Sequence, residues 1–227
     1  FLADAAHEMR TPLTTINGIL EGLQYDAIPE EAKPKSISLM KKETKRLIRL
    51  VNENLDFEKI RNNQILLVKT SFNATKILED VKMQLSQNAE KEHDEIRIAA
   101  PSDLSVYADK DRFTQIIFNL VQNAIQFTKN GQIVISGRRK DHATKIVVMD
   151  NGIGMSDEQM KYIFDRFFKA DPSRAHQGTG ESGLGLSIVS SLIKQHGGKI
   201  SVDSSPNEGA IFTITFFDEG FEQYLSE

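Results

Sequence analysis

The sequence predicts a protein of the α plus α/β class, in which a helical hairpin that forms a dimeric four-helix bundle precedes an α/β sandwich. Two observations predict this. Apolar residues at the start of the chain recur with a helical period. Further along, strand-like segments alternate with helical ones, which favours a mixed sheet covered by helices. We therefore predict a helical domain at 1–62, a linker at 63–70 and an α/β domain at 71–227.

Composition restricts the possible partners. The 227 residues are 39% hydrophobic and 26% charged, as in an ordinary globular protein, and the net charge is −4. This charge gives no electrostatic reason to expect a nucleic acid as partner. Cysteine is absent, which excludes a disulfide framework and a thiolate metal site. No apolar run approaches the ~20 residues of a membrane span, so we expect no membrane contact by this fragment.

The first helical segment carries a narrow apolar seam. Its apolar side chains are spaced alternately four and three residues apart, which is the heptad pattern of a coiled coil. The stretch with Pro29 and Pro34 interrupts the helix, and a second periodic run follows, so the two helices form an antiparallel hairpin. A lone hairpin leaves half of its seam exposed, and we expect two copies to pair; the alternative is that the seam packs on the rest of the chain. The seam of the first helix consists of Leu2, Ala6, Met9, Leu13, Ile16, Leu20 and Leu23.

A histidine lies outside this seam. His7 falls at heptad position b and Thr11 at f, so both point to solvent on one outer face, with Glu8 beside them. A carboxylate next to an exposed histidine can hold one tautomer and leave the other ring nitrogen available as a nucleophile or base. A solvated surface histidine is the alternative. Pro12 lies inside the same helix, where it removes a backbone donor, and we hypothesise that it bends the helix beside His7.

A predicted helix over 111–128 carries a polar stripe beside its apolar face. Asn119, Asn123 and Gln126 are spaced four and three residues apart, so they share one flank. Amide carbonyls are hard oxygen ligands that add no charge, and such a stripe suits a cluster of Mg²⁺ and phosphate. A solvated helix face explains the stripe equally well.

The motif DNGIGM follows an apolar strand. Asp150 ends this strand, and Gly152 and Gly154 permit close approach of the backbone to a ligand. The glycine pairs favour a hairpin turn, but Ser156 and Gln159 match a capping box and predict that a helix follows instead. Binding residues of open α/β sheets lie at this end of the strands.

A glycine-rich segment, GTGESG at 178–183, opens the next predicted helix. Its spacing matches the dinucleotide-binding pattern G-x-G-x-x-G, and Asp203 follows at about the required distance of ~20 residues. That pattern must follow a buried strand, whereas residues 169–177 are polar and contain a proline. We therefore interpret the glycines as a loop that leads into a helix at Leu184, where backbone N–H groups can meet phosphate.

Together these segments resemble the catalytic core of a bacterial two-component sensor histidine kinase, and the resemblance covers nearly the whole chain. AHEMRTPL is similar to the phosphoacceptor H-box, NLVQNAIQFT to the N-box and DNGIGM to the first glycine box. IFDRFFKAD is similar to the F-box and GESGLGLSI to the second glycine box. Five boxes in the family's order are highly specific. Within the family, the chain also resembles the essential Gram-positive kinases that regulate the cell wall.

The resemblance implies a dimerisation and histidine-phosphotransfer domain, followed by an ATP-binding domain of the Bergerat type that gyrase-like ATPases share. It implies that His7 takes the γ-phosphoryl group of Mg²⁺-ATP, with Glu8 holding the imidazole proton. The phosphoryl group would then pass to an aspartate of a response-regulator receiver domain. Thr11, four residues after the histidine, implies a phosphatase activity toward the phosphorylated regulator. The protein would be a homodimer through its hairpin.

The resemblance also implies the nucleotide site. Asn123 would ligate Mg²⁺, with Asn119 as a second candidate ligand near the phosphates, and Asp150 would accept from the adenine amino group. Gln126 stands where the family usually has a lysine, and Lys169 stands where it often has an arginine; Arg166 is expected to compensate. The residues from about Met155 to Ser182 would form the ATP lid. The expected ATP-binding residues are Asn119, Asn123, Gln126, Phe127, Asp150, Gly152, Gly154, Gly180, Gly183, Leu184 and Gly185, and the expected catalytic residues are His7, Glu8, Thr11, Arg166 and Lys169.

Two alternatives stay open at this point. One is a gyrase-like Bergerat ATPase whose product is only conformational work, although such an ATPase has no use for an H-box. The other is a catalytically silent dimeric scaffold that binds nucleotide, although the joint presence of His7, Glu8, Asn123 and Asp150 speaks against it. The chain begins inside a periodic pattern without an initiator methionine. We therefore expect a piece of a longer protein, and the resemblance implies that this piece is the cytoplasmic part of a membrane-anchored sensor.

Overall fold

The computed structural model describes residues 2–62, 64–168 and 183–221. Within these ranges the chain forms a helical hairpin followed by an α/β unit with a five-stranded mixed sheet, so the predicted fold class is confirmed. Each helix in these ranges is either too short or too polar to cross a lipid bilayer.

The hairpin consists of two long helices, α1 (Leu2–Gln24) and α2 (Lys33–Arg61), with a 3-10 turn at Glu30–Ala32 between them. Helix α1 is continuous through Pro12, which is buried. On both sides of the proline, threonine hydroxyls donate to the carbonyl four residues back. These contacts measure 3.5 Å from Thr11, 2.9 Å from Thr14 and 3.3 Å from Thr15.

One face of the hairpin is apolar and exposed to solvent. Leu13 and Leu20 belong to the predicted heptad seam, and both are about half exposed. Helix α2 contributes further apolar side chains to the exposed surface. A single hairpin therefore leaves much of its seam uncovered, as its geometry requires. The large apolar side chains that remain 37–56% exposed on the hairpin include Leu13, Leu20, Ile37, Ile48, Val51 and Leu55.

The α/β unit is built on one sheet and one two-stranded ribbon. In the five-stranded sheet the strand order is β2-β4-β5-β7-β6, with β2 parallel to β4 and the other neighbours antiparallel. In the ribbon β1 pairs with β3, with Lys69 opposite Asp109. The bounds are β1 (Lys69–Asn73), β2 (Glu95–Ala99), β3 (Ser105–Asp109), β4 (Gln132–Lys140), β5 (Ala143–Asp150), β6 (Lys199–Ser204) and β7 (Ala210–Phe217).

Helices α3, α4 and α6 share one core with the sheet. The strands alternate buried and more exposed residues, so that each presents one side to the helices. Fully buried side chains such as Phe113 and Ile117 of α4 lie in the same cluster as Ile146 and Ile214 of the sheet. The bounds are α3 (Ala74–Lys91), α4 (Lys110–Phe127), α5 (Asp157–Tyr162) and α6 (Gly185–Gln195).

The helix ends follow their local sequence. Asp109 caps α4, because its Oδ1 accepts from the Arg112 amide at 3.0 Å. The predicted capping box at the start of α5 is present in both directions, with Ser156 accepting from the Gln159 amide and the Gln159 side chain accepting from the Ser156 amide. Helix α6 ends in a Schellman motif with Gly197 at a φ of +70°.

Strand β1 is a strand that the sequence analysis does not predict. Its sequence, KTSFN, is polar and short, and only pairing with β3 makes it a strand. It begins at Lys69, inside the segment 63–70 that we predict as a linker. The division of the chain at 62 and 71 stays a prediction.

The last turns of α2 pack against the α/β unit. Phe57 and Ile60 are buried and belong to the same core cluster as the sheet and its helices. The Gln195 side chain donates to the Ile60 carbonyl, and Arg112 lies 3.8 Å from Asp56. The hairpin is therefore held on the α/β unit by the end of α2.

Candidate active site

A cavity opens where β5 ends, beside α4. It encloses about 320 Å³, part of which is continuous with solvent. A buried carboxylate and an amide supply its polar groups, and apolar side chains form most of the remaining lining. This combination suits a flat apolar ring with one polar edge. The lining residues are Asn123, Phe127, Asp150, Gly154, Met155, Ile163 and Ala210.

Asp150 is the last residue of β5 and is 5% exposed. Burial raises the pKa of its carboxyl, and the carboxylate of Asp94 adds to this rise. Hydrogen bonds from the backbone amides of Gly152 and Ala210 act in the opposite direction and lower the pKa, and the Thr128 hydroxyl also lowers it. The Gly152 amide lies 2.9 Å from Oδ1. The carboxyl group is thus fixed in orientation with acceptor capacity left on the cavity side.

The fold requires the two glycines of DNGIGM for a reason that differs from the predicted one. A Cβ at Gly152 would lie 2.1 Å from the carbonyl oxygen of Phe127, and a Cβ at Gly154 would lie 1.9 Å from that of Ser205. Gly154 also has a φ of +63°. Contact with the protein's own backbone therefore requires both glycines. Gly154 lines the cavity as well, and the binding role of each glycine stays a prediction.

The amide stripe of α4 approaches the start of α6. Asn119, Asn123 and Gln126 are all half-buried. A Cβ at Gly185 would lie 3.9 Å from the Asn119 side chain, so the first turn of α6 is beside that amide. Leu184 provides no side-chain cap, and the first turn holds no acidic residue. The first N–H groups of α6 therefore have no intrahelical acceptor and lie beside the stripe, as in a phosphate-binding helix terminus.

The groove between α4 and α6 offers amide oxygens but no acidic metal cluster. Within the described part of the chain, no group of three or more His, Cys, Asp or Glu side chains is arranged to hold a metal ion. Asn119 and Asn123 are neutral oxygen donors. They fit a Mg²⁺ ion that takes few ligands from the protein and the rest from phosphate and water.

His7 lies on the outer face of α1, as predicted. Its side chain is exposed, and Thr11, one turn further along, is exposed on the same face. The Thr11 hydroxyl lies 3.5 Å from the His7 carbonyl, so the threonine is directed back toward the histidine's turn. The imidazole is open to an approaching partner.

Glu8 is turned toward α2. Its carboxylate is 3.9 Å from Arg46, and both side chains are 20% exposed. Arg46 is also 3.6 Å from Glu43 on its own helix. The acidic neighbour of the histidine is therefore engaged across the hairpin.

Arg166 lies on α2. Its guanidinium donates to Glu58 at 3.0 Å and to Asn54 at 2.7 Å, and it lies 4.1 Å from the centre of the Phe57 ring. We call these contacts the Arg166 clamp. Arg46 marks the level of the histidine on α2, because it contacts Glu8. At a rise of 1.5 Å per residue, Asn54 and Glu58 lie about 12–18 Å further along α2 than Arg46. The expected role of Arg166 at the phosphates stays a prediction, and it requires the clamp to open.

Some predicted site residues lie outside the described part of the chain, and some residues of the cavity were not predicted. Lys169, Gly180 and the second half of the expected lid are outside the described ranges. Gly183 is described: its φ is +70°, and its carbonyl accepts from the Phe167 amide. Among the cavity residues, Met155 and Ile163 belong to recognised boxes, but Ala210 comes from a distant strand. It reaches the site because it pairs with Asp150 in the sheet, which no local pattern announces.

Two family models match the chain. Residues 1–63 match the His Kinase A (phospho-acceptor) domain. Residues 108–220 match the histidine kinase-, DNA gyrase B- and HSP90-like ATPase. Sensor histidine kinase YclK of Bacillus subtilis is 46% identical over 214 residues, which are 94% of this chain and 45% of YclK. The chain thus spans less than half the length of this relative.

Solved structures are similar over both parts of the chain. Histidine kinase AdeS of Acinetobacter baumannii has a TM-score of 0.78 at 25% identity, covering 94% of this chain and 98% of AdeS. The catalytic domain of histidine kinase ThkA is 32% identical with a TM-score of 0.58, covering 66% of this chain and 96% of that domain. ThkA in complex with response regulator protein TrrA has a TM-score of 0.76 at 29% identity, covering 96% of this chain and 60% of the ThkA chain.

Proposed function

The chain belongs to the two-component sensor histidine kinases, and from this premise we propose that it phosphorylates itself on His7 with ATP and passes the phosphoryl group to an aspartate of a response-regulator receiver domain. One observation carries the proposal. A single chain combines an exposed histidine on a helical hairpin with a cavity that the buried carboxyl of Asp150 lines. A kinase of this kind needs both parts, whereas an ATPase needs only the second.

Asp150 gives the cavity its preference for adenine. An ionised carboxylate only accepts hydrogen bonds, so it favours a purine with an amino group at this edge and disfavours one with a carbonyl oxygen there. The apolar side chains of Met155 and Ile163 supply surface for the ring. We therefore propose ATP, in preference to GTP, as the phosphoryl donor.

The groove between α4 and α6 is proposed for the triphosphate. The first N–H groups of α6 attract anions, and the Asn119 side chain lies within contact distance of this turn. Asn123 and Asn119 would hold Mg²⁺, which supplies charge neutralisation for the phosphates. Gln126 adds no charge, so neutralisation by protein cations must come from elsewhere. Lys169 and Arg166 are the proposed sources.

At His7, the unprotonated ring nitrogen attacks the γ-phosphorus. The bond to the bridging oxygen breaks, and ADP leaves with the electron pair. Glu8 is proposed to hold the proton of the other ring nitrogen. The ion pair between Glu8 and Arg46 is long, at 3.9 Å, and partly solvated. The Glu8 carboxylate can therefore turn from Arg46 to the imidazole at a small cost in free energy.

The receiver domain is the proposed acceptor of the phosphoryl group. The solved complex of ThkA with response regulator TrrA supports this partner, because this chain is similar to ThkA along the whole hairpin and α/β unit. Thr11 lies one turn from His7 on the same exposed face, where it can orient a water toward an aspartyl phosphate. A phosphatase activity is therefore part of the proposal.

The exposed apolar seam supports a homodimer through the hairpin. Two hairpins that pair along Leu13 and Leu20 bury side chains that one hairpin leaves half exposed. The length of the relatives supports a larger protein, and we propose a membrane-anchored sensor of which this chain is the cytoplasmic part. The narrower resemblance to cell-wall-regulating kinases stays a prediction.

Incubation with γ-labelled ATP and Mg²⁺ tests the proposed reaction. We expect label on the protein that is stable in base and lost in acid, and that is absent from His7→Gln. The matched control is His93→Asn, which changes another exposed histidine at a φ of +58° that asparagine tolerates. Hydrolysis of ATP without labelled protein would instead indicate a gyrase-like ATPase. Nucleotide binding without turnover would indicate a silent scaffold.

A further inference from the structure

His196 is a buried histidine far from the phosphoacceptor. It ends α6 and is 3% exposed. Its Nδ1 lies 2.7 Å from the Leu192 carbonyl oxygen, and its Nε2 accepts from the Asp109 amide at 3.1 Å. Since Nε2 accepts, the proton is assigned to Nδ1, which donates to Leu192. The ring is therefore neutral and fixed by one bond to its own helix and one to the start of α4.

The same point joins two further segments. The Asp109 carboxylate caps α4 through Oδ1 and accepts from the Val68 amide through Oδ2, at 2.9 Å. The Lys69 ammonium donates to the His196 carbonyl at 3.1 Å. The start of β1, the end of β3, the start of α4 and the end of α6 therefore meet around one imidazole.

Both helices that end at this junction reach the nucleotide site. Helix α4 runs from Asp109 to Asn119 and Asn123, and α6 runs from the junction back to its first turn beside Asn119. The two helices pack against each other, and the buried side chains between them fix their separation. Asp109 and Asn119 are about 15 Å apart along the helix at a rise of 1.5 Å per residue, and main-chain hydrogen bonds keep this length of helix from stretching. A shift of α6 along its axis relative to α4 at the His196 end is therefore transmitted to the other end, where the first turn of α6 lies beside Asn119.

We propose that His196 is a positioning residue for the nucleotide. Through its bonds to Leu192 and to the Asp109 amide, it sets the axial register of α6 against α4, and thereby the distance between the first N–H groups of α6 and Asn119. This inference rests on the proposed role of that groove as the triphosphate site. It concerns binding of the phosphates and leaves the adenine end at Asp150 unaffected.

The bond pattern requires a neutral ring. A second proton on Nε2 would face the Asp109 N–H, so that two donors oppose each other. Burial lowers the pKa of His196, and the nearby Lys69 ammonium also lowers it, whereas the bond to Leu192 and the Asp109 carboxylate raise it. Lys69 from β1 and Asp109 at the start of α4 are the charged groups that act on the ring, and Phe216 of β7 adds an apolar edge contact. Acidification into the range of this lowered pKa should therefore weaken ATP binding.

Two substitutions separate positioning from general stability. His196→Gln keeps an acceptor for the Asp109 amide, whereas His196→Met fills similar space without a comparable acceptor. Lys194→Met is the matched control, because Lys194 lies on α6 with an exposed side chain. For each protein, the dissociation constants of ATP and adenosine are measured between pH 4.5 and 8, together with the thermal midpoint and the autophosphorylation rate.

We expect His196→Met to weaken ATP binding about tenfold, because it removes the hydrogen bond from the Asp109 amide that aligns α6 with α4. Adenosine binding should change less than about threefold. His196→Gln should restore most of the ATP affinity, and on acidification both variants should weaken less than the wild type and Lys194→Met, because the titration of ATP itself is common to all four proteins. Equal losses for ATP and adenosine, or ATP binding by His196→Met that matches the wild type, would overturn the proposal. If the wild type binds ATP in this pattern but is never labelled, the kinase function fails and the positioning role stands.

Discussion

The Arg166 clamp holds an F-box residue on α2, and Glu58→Gln tests what this does to the kinase. Glutamine keeps the size of the side chain and removes its charge, so the 3.0 Å charged contact with Arg166 becomes a neutral one. The bond to Asn54 and the contact with the Phe57 ring stay in place. Arg166 itself is untouched, which matters because it is an expected catalytic residue.

The size of the effect follows from exposure. The Glu58 side chain is 40% exposed, so the pair contributes as a partly solvated ion pair, about 0.2–1 kcal/mol. Loss of the pair shifts the equilibrium between closed and open clamp about 1.5- to 5-fold. If phosphoryl transfer requires the open form, the autophosphorylation rate of Glu58→Gln rises by that factor, with an unchanged ATP dissociation constant.

Single-turnover autophosphorylation at saturating ATP measures this rate. Glu90→Gln is the control, since it removes an exposed carboxylate from α3. In ~1 M salt, where the Debye length is about 3 Å, the wild type should approach the variant. A rate for Glu58→Gln equal to or below that of the wild type at low salt would refute the reasoning, because the clamp would then not compete with transfer.

Four further outcomes follow from the site and the fold. Thr11→Ala should abolish dephosphorylation of the phosphorylated regulator and keep autophosphorylation within about twofold, as measured with purified labelled regulator. Gly154→Ala should lower the free energy of unfolding in urea by at least ~2 kcal/mol, because Gly154 has a positive φ and the new Cβ would lie 1.9 Å from a carbonyl oxygen. The control Gly18→Ala, at a position with open space around it, should raise the free energy of unfolding by about 0.5–1 kcal/mol. Burial alone would raise the pKa of Asp109, but hydrogen bonds from backbone amides outweigh burial and lower the pKa. The ionised carboxylate therefore stabilises the folded protein above the unfolded pKa of ~3.9, and this stabilisation is lost as pH falls through the folded pKa. Asp109→Asn should flatten this part of the acid unfolding curve. Leu20→Glu places a charge in the exposed seam and should give a monomer in sedimentation analysis, and an unchanged dimer would contradict the proposed interface.

Local signals predicted most of the fold. The capping box at Ser156 and Gln159 lies within four residues, and the structure contains both of its bonds. The amphipathic pattern of α4 likewise depends on that helix alone, and its buried face is as expected. Asp150 was found because an apolar strand ending in a carboxylate is itself a local pattern.

The parts that were missed depend on contacts between distant residues. Strand β1 exists because Lys69 pairs opposite Asp109, forty positions away, and only Thr70 and Phe72 of its five residues favour a strand. Ala210 enters the cavity through its sheet partner. Arg166 meets Asn54 and Glu58 only because α2 docks on the α/β unit, and no spacing in the sequence encodes that docking.

The proline in α1 has a consequence for hydrogen exchange. Pro12 has no amide hydrogen, so the Glu8 carbonyl lacks its helical donor, while threonine hydroxyls crowd the carbonyls around it. This turn closes with one main-chain bond fewer than its neighbours, and it should open at a free energy lower by about 1 kcal/mol. His7 lies on this turn. A brief local opening of this one turn would therefore move the proposed phosphoacceptor, and we expect faster amide exchange in this turn than in the helix on either side of it.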